Sequence, residues 1–100
     1  MEIKWLRKAA TNLEAEYRYI AQDDPQAASQ FVDEVQKVTE LLPQQPAMGR
    51  SGRVPGTREL VLTHYPYIIP YRVKDNMIQI LRVFHTHRRL PSNYLTSQTD

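Results

Sequence analysis

No cysteine occurs anywhere in the 100 residues. Disulfide frameworks, thiolate metal sites and cysteine nucleophiles are therefore excluded, and the composition suits a reducing cytosol. Apolar residues never run for the roughly 20 positions that a membrane-spanning helix requires. The opening Met1-Glu2-Ile3-Lys4-Trp5 has none of the apolar core of a signal peptide, which argues against secretion by that route. Glycine is scarce, with three residues clustered between 49 and 56. No glycine-rich phosphate loop precedes a helix, and neither GxSxG nor HExxH occurs. Charge of one sign is also scarce, since 13 Lys/Arg against 11 Asp/Glu leave a formal net charge of +2.

That small excess is unevenly placed. Residues 1–50 carry six basic and eight acidic side chains, whereas residues 51–100 carry seven and three, so the halves stand at −2 and +4. A basic half is a footprint for a polyanion or an acidic protein groove, and equally the pattern of a plain solvated surface. Hydrophobic and charged contents of 41% and 24% are those of one soluble domain with a single modest core.

Periodicity divides the chain. Glu2 to Trp5 alternates polar and apolar and predicts a short first strand, with Trp5 as a core anchor. Leu6, Ala9, Ala10, Leu13, Tyr17 and Ile20 recur at helical spacing opposite Arg7, Lys8, Asn12, Glu14, Glu16 and Arg18. This predicts an amphipathic helix over residues 7–21, whose start has no evident capping side chain. Asp24-Pro25 restarts the helix, the aspartate as cap and the proline at a first position where its missing N–H costs nothing. Ala28, Phe31, Val35, Val38 and Leu42 form the stripe of a second helix that Pro43 ends.

The stretch Gly49–Val73 is then built differently. A loop carrying Arg50 and Arg53 leads into Arg58-Glu59-Leu60-Val61-Leu62-Thr63, which turns at His64-Tyr65-Pro66 and returns as Tyr67 to Val73. Two β-rich runs around a short polar connection predict an antiparallel hairpin. Alternation places Arg58 with Leu60 and Leu62, and Arg72 with Ile68 and Pro70. Pro70 implies an edge position or a bulge. Lys74-Asp75-Asn76 is a turn, and Met77 to His85 predicts one long strand, apolar on both faces. The tail from Leu90 has no periodicity and is expected to extend beyond a domain of residues 1–90. The order β-α-α-β-β-β predicts an α+β fold, a helical hairpin on a mainly antiparallel sheet with strand order open. Leu13, Tyr17, Phe31, Val35, Val38, Leu60, Ile80 and Val83 are its expected core.

Four arginines, Arg53, Arg58, Arg72 and Arg82, fall on the strands or their lead-in. Each reads as an ion pair at the sheet margin, with Glu59 and Asp75 as available acids, or as part of an anion-binding patch, since guanidinium forks suit phosphates and carboxylates alike. Arg88 and Arg89 extend the basic set. His85, which ends the last strand, is either a polar strand end or a general acid–base beside arginines, the minimum for metal-free RNA cleavage. His64 and Tyr71 are candidate second partners. Tyr65, Tyr67, Tyr71 and Tyr94 could stack on bases or donate protons, although Tyr67 and Tyr71 are more simply packing residues. His85 and His87 share one side of an extended segment, but no carboxylate or cysteine at ligand spacing supports a metal, and no cofactor is expected.

With these residues in place, the wording of the chain resembles the RelE/ParE superfamily of bacterial toxins. The segments that carry the resemblance are Gly56-Thr57-Arg58-Glu59-Leu60 through Val73 and Ile78 through His85. The resemblance covers nearly the whole chain and implies a cytoplasmic toxin of a type II toxin–antitoxin module, held inactive in a hetero-oligomer by a co-expressed antitoxin with an acidic binding segment. Arg-Glu-Leu-Val and Leu-Arg-Val-x-His are closer to ParE-like members, which poison DNA gyrase without being enzymes. The RelE-like branch, which cleaves mRNA on the ribosome, is the alternative, because His85 lies where some of those members carry a catalytic histidine. A general interaction module without toxicity is the third reading.

Overall fold

The computed structural model describes residues 1–88, 94 and 95. Strand β1 (Glu2–Trp5) leads directly into helix α1 (Arg7–Ala21), and α2 (Pro25–Glu40) follows after a three-residue join. Leu6, at the N-cap of α1, makes no side-chain cap, whereas Asp24 Oδ1 accepts the N–H of Ala27 at 3.1 Å and Pro25 opens α2. The remaining strands are β2 (Arg50–Ser51), β3 (Arg58–Val61), β4 (Tyr67–Lys74), β5 (Met77–Ile80) and β6 (Phe84–His85). They form one sheet of order β1-β5-β4-β3-β2, with β6 also pairing β4. All pairings are antiparallel except that of β1 with β5. The fold is α+β, as the element order requires. Parallel neighbours cannot be joined by a tight turn, and between β1 and β5 the chain makes both helices and three further strands.

Several local expectations are met. Asp75 and Asn76 have φ of 54° and 59°, the left-handed pair that a two-residue hairpin turn between Lys74 and Met77 demands. Phe31, Val35, Leu60, Ile80 and Val83 are buried in the main core, between the helices and the sheet.

Other elements differ from the sequence reading. Residues 77–85 are not one strand, because pairing stops at Leu81–Val83 and resumes in β6. The cause is Pro70, which occupies an inner strand. Its carbonyl accepts from Leu81 N–H at 2.9 Å, so its missing donor faces the same side, and the partner chain leaves the ladder there. The N–H of Val83 donates to Asn12 Oδ1 on α1 instead. The lead-in loop contains a short edge strand, β2, paired with β3. Tyr17 is 37% exposed rather than buried, and Leu13 and Val38 are only half-buried. The helical hairpin turns its Glu16 side to the sheet, leaving Trp5, Leu13, Tyr17 and Val32 along a groove of about 560 Å³ between the helices. Trp5 is half-buried, packed against the main core on one side and lining that groove on the other.

Every residue from Tyr67 to Tyr71 is buried, so β4 is covered on both faces. The second cover is a smaller apolar cluster of Leu6, Val54, Leu81 and Tyr94, with Phe84 and Leu95 packed against it. Tyr94 and Leu95, past the boundary expected at residue 90, therefore return to the body of the domain.

Candidate functional site

The sheet carries two polar clusters, one on each face. On the face away from the helices, Glu59 is 2% exposed and gathers donors from Arg50, Arg53 and Tyr94, with Arg50 Nε at 3.3 Å the longest of them. Arg50 Nη2 and Arg53 Nε each reach it at 3.1 Å, the Arg53 N–H at 3.2 Å and the Tyr94 hydroxyl at 3.1 Å. Tyr94 also lies 2.9 Å from the hydroxyl of Thr57. Burial pushes the Glu59 carboxyl up, but the bonds from Arg53, Arg50 and Tyr94 outweigh it and hold the group below its ordinary value. Gly52 makes the seat possible, since a Cβ there would stand 2.1 Å from Thr57 Oγ1 and 2.8 Å from the Tyr94 hydroxyl.

The second cluster lies between α1 and the end of the sheet. Glu16 Oε1 accepts the Tyr67 hydroxyl at 2.8 Å, and Glu16 Oε2 accepts Arg88 Nη1 at 2.6 Å. The Arg88 guanidinium also lies 5.0 Å from the centre of the Tyr19 ring. Burial and the neighbouring Glu16 carboxylate push the Tyr67 phenol far above its usual range, so it stays protonated. The His85 ring packs edge-on to Tyr67 at 5.0 Å and to His87 at 5.3 Å. Its Nδ1 accepts the backbone N–H of His87 at 3.1 Å, which places the proton of the neutral ring on Nε2. Partial burial, then Arg88 and His87, hold the His85 imidazole below its usual value, with Glu16 opposing them. These influences favour the neutral form of the ring. Replacing Arg88 by alanine should move the His85 titration midpoint upward, because a repelling cation is gone. Proton NMR of the imidazole reads this directly, and an unchanged or lower midpoint would refute the electrostatic account.

The sequence-predicted arginines are not brought into one patch. Arg58 pairs in register with Tyr71 on the helix side of the sheet, while Arg72 lies on the opposite face. Arg58 Nη1 donates to the carbonyls of Gly49 at 2.9 Å and Ala47 at 3.3 Å, tying down the preceding loop. Arg53 belongs to the Glu59 cluster, for which the ion-pair reading holds. Arg72 Nε donates to Gln79 Oε1 at 2.8 Å. Arg82 is 6% exposed and donates to the Leu81 carbonyl, and no buried polar side-chain atom among the described residues lacks a partner. Arg88 joins Glu16, and Arg89 lies outside the described residues. Of the candidate proton-transfer partners, His64 pairs with Glu34 at 2.6 Å. The Tyr71 hydroxyl donates to the Pro46 carbonyl at 2.7 Å and accepts the Gly49 N–H. The ring and hydrogen-bond contacts of His85 are instead with Tyr67 and His87. Among the described residues no group of three or more His, Cys, Asp or Glu could hold a metal.

Sequence reasoning missed Glu16, which it set on the solvent face of α1. The signal was present, since Ala9, Leu13, Glu16 and Ile20 follow one another at steps of four, three and four, the spacing of a single face.

Residues 3–90 match the family described as the ParE toxin of the type II toxin–antitoxin system parDE. The chain belongs to the ParE toxin family. It is accordingly a member of the RelE/ParE superfamily and the toxin component of a type II module, a family in which the toxin is paired with an antitoxin. It is 43% identical over 89 residues to Y4kP of Sinorhizobium fredii, covering 89% of this chain and 92% of that protein. It is 32% identical over 87 residues to Toxin RelE2 of Caulobacter vibrioides, covering 87% and 97%. Among solved structures, a chain of the chromosomal ParDE TA system from P. aeruginosa is similar with a TM-score of 0.78 and 38% identity, covering 87% of this chain and 97% of that one. Among the described residues no helix of the toxin is long and apolar enough to cross a membrane.

Proposed function

We propose that the toxin arrests growth in the cytoplasm by poisoning DNA gyrase, without a reaction of its own and without a cofactor. The observation that supports this reading is the state of His85. Metal-free RNA cleavage needs a base for the 2′-hydroxyl and an acid for the leaving oxygen around one phosphate. The Nδ1 lone pair of His85 is occupied by a backbone N–H, Tyr67 is locked to Glu16, and Arg88 is held by the same carboxylate. His85 could take up a proton only by breaking its bond to His87. A gyrase poison needs a complementary surface and no such pair. The antitoxin has an apolar surface to cover in the groove between α1 and α2, so the resting state is a toxin–antitoxin hetero-oligomer.

The test is a paired assay with purified toxin, in which gyrase supercoiling and cleavage-complex formation are followed beside mRNA cleavage on translating ribosomes. Gyrase-dependent DNA breaks that persist in His85→Ala are expected. Cleavage of mRNA in the ribosomal A site that His85→Ala abolishes, with gyrase unaffected, would replace gyrase by the ribosome and mRNA as target. Purified folded toxin with neither effect, and normal growth on its expression, would leave the interaction-module reading.

A further inference from the structure

The strand cations fall into two sets. Arg50 and Arg53 converge on Glu59, Arg58 is bound by loop carbonyls and Arg88 by Glu16. Lys4, Arg72 and Lys74 instead form no ion pair among the described residues. Lys4 on β1, Gln79 on β5 and Arg72 on β4 stand in one row across three strands. Lys74 lies two residues beyond Arg72 on the same face. That face is the one away from the helices, because Tyr71 and Ile80, which alternate with Arg72 and Gln79, belong to the core beneath them. The bond from Arg72 Nε to Gln79 anchors the guanidinium and leaves Nη1 and Nη2 without a bond to any described residue.

Charge reinforces the direction. Residues 7–40, the helical layer and its join, carry four basic and seven acidic side chains. The rest of the chain carries nine and four. A polyanion is therefore drawn to the sheet and repelled from the helices. Lys4 and Arg72, two strands apart, are separated by about 9–10 Å, and Arg72 and Lys74 by about 7 Å along β4. A triangle of this size reaches more than one phosphate of a nucleic-acid backbone. Its intervening residues, Gln79, Met77 and Glu2, present no aromatic ring on which an unpaired base could stack. Duplex is favoured over single strand on that ground.

We infer that the outer sheet face at Lys4, Arg72 and Lys74 contacts the phosphate backbone of duplex DNA, independently of sequence. The inference deepens the gyrase reading and rests on it for its role, since gyrase holds a DNA segment beside which a bound toxin would sit. Glu2, exposed on the same face beside Lys4, limits the affinity.

Fluorescence anisotropy of purified toxin with a short labelled DNA duplex, repeated between about 50 and 200 mM salt, tests this. Each neutralised phosphate contributes about 0.9 to the slope of log affinity against log salt, so Lys4→Ala/Arg72→Ala/Lys74→Ala should lower the slope by about 2.7. The melting temperature of the triple variant serves as the folding control. Glu2→Gln should tighten binding several-fold at low salt. Absence of duplex binding at low salt, an unchanged slope in the folded triple variant, or stronger capture of single-stranded RNA of equal length would each overturn the inference. Supercoiling assays run in parallel separate it from the gyrase reading. A toxin that binds duplex through this face and leaves gyrase untouched keeps the DNA surface and removes gyrase as target. One that poisons gyrase and binds no duplex overturns the DNA surface alone.

Discussion

Phe31→Ala should cost about 3–5 kcal/mol of stability, the range for truncating a buried aromatic. Phe31 is fully buried at the centre of the α2 stripe. Its ring lies 5.5 Å from Tyr65 and 4.6 Å from Tyr67, and Tyr67 in turn packs on His85. The cavity would thus open between the helix and β4, a strand covered on both sides. For a domain of this size each kcal/mol moves the midpoint by about 4–8 °C, so the transition should fall by at least about 12 °C. Urea denaturation with an unchanged m-value would place the effect in the native state. The loss should also reach the second polar cluster, because a loosened Tyr67 lets water reach His85 and its titration midpoint rises. A cost below about 1 kcal/mol would show that the main core is not organised around this residue.

Glu59→Ala should cost about 2–3 kcal/mol. Removing one member of a buried pair is worth about 3–5 kcal/mol, but the side chains of Arg50 and Arg53 are 58% and 32% exposed, and water replaces part of what they lose. The larger loss is on the buried side, where the Tyr94 hydroxyl loses its charged acceptor. Tyr94→Phe should therefore be less than additive with Glu59→Ala in a double-mutant cycle. The pH dependence has a definite sign. A carboxyl held below its ordinary value in the folded state contributes in full above the unfolded value and loses that contribution as pH falls through the folded one. The gap in midpoint between wild type and Glu59→Ala should thus be constant near neutrality and close on acidification below about pH 4. A gap that widens in acid would mean that Glu59 is protonated in the folded protein.

Much of the architecture was legible because it is encoded by neighbours. The 3.6-residue stripes produced both helices, Asp24-Pro25 their junction, and Asp75-Asn76 the tight turn, each by interactions spanning four residues or fewer. The α+β class and the superfamily followed from the order of those elements and from the wording of two strands. The arginines were legible as residue types, but their roles were not. Whether an arginine is available to a ligand depends on which acid or carbonyl it meets. Those partners lie far off in the chain, 72 residues away for Arg88 and Glu16 and 35 for Tyr94 and Glu59.

Burial of Glu16 and Glu59 was decided in the same way. Alternation assigned each to a face, and only the packing of α1 against β4, and of Tyr94 against the outer sheet, determined which faces were closed. Pro70 announced an interruption in sequence, but the break fell on the opposite strand, because the missing N–H leaves the neighbouring chain without its partner. Local periodicity fixes which way a side chain points along its own element. What it points at is set by chain crossings that carry no local signature, and the electrostatics of this toxin depend on those crossings.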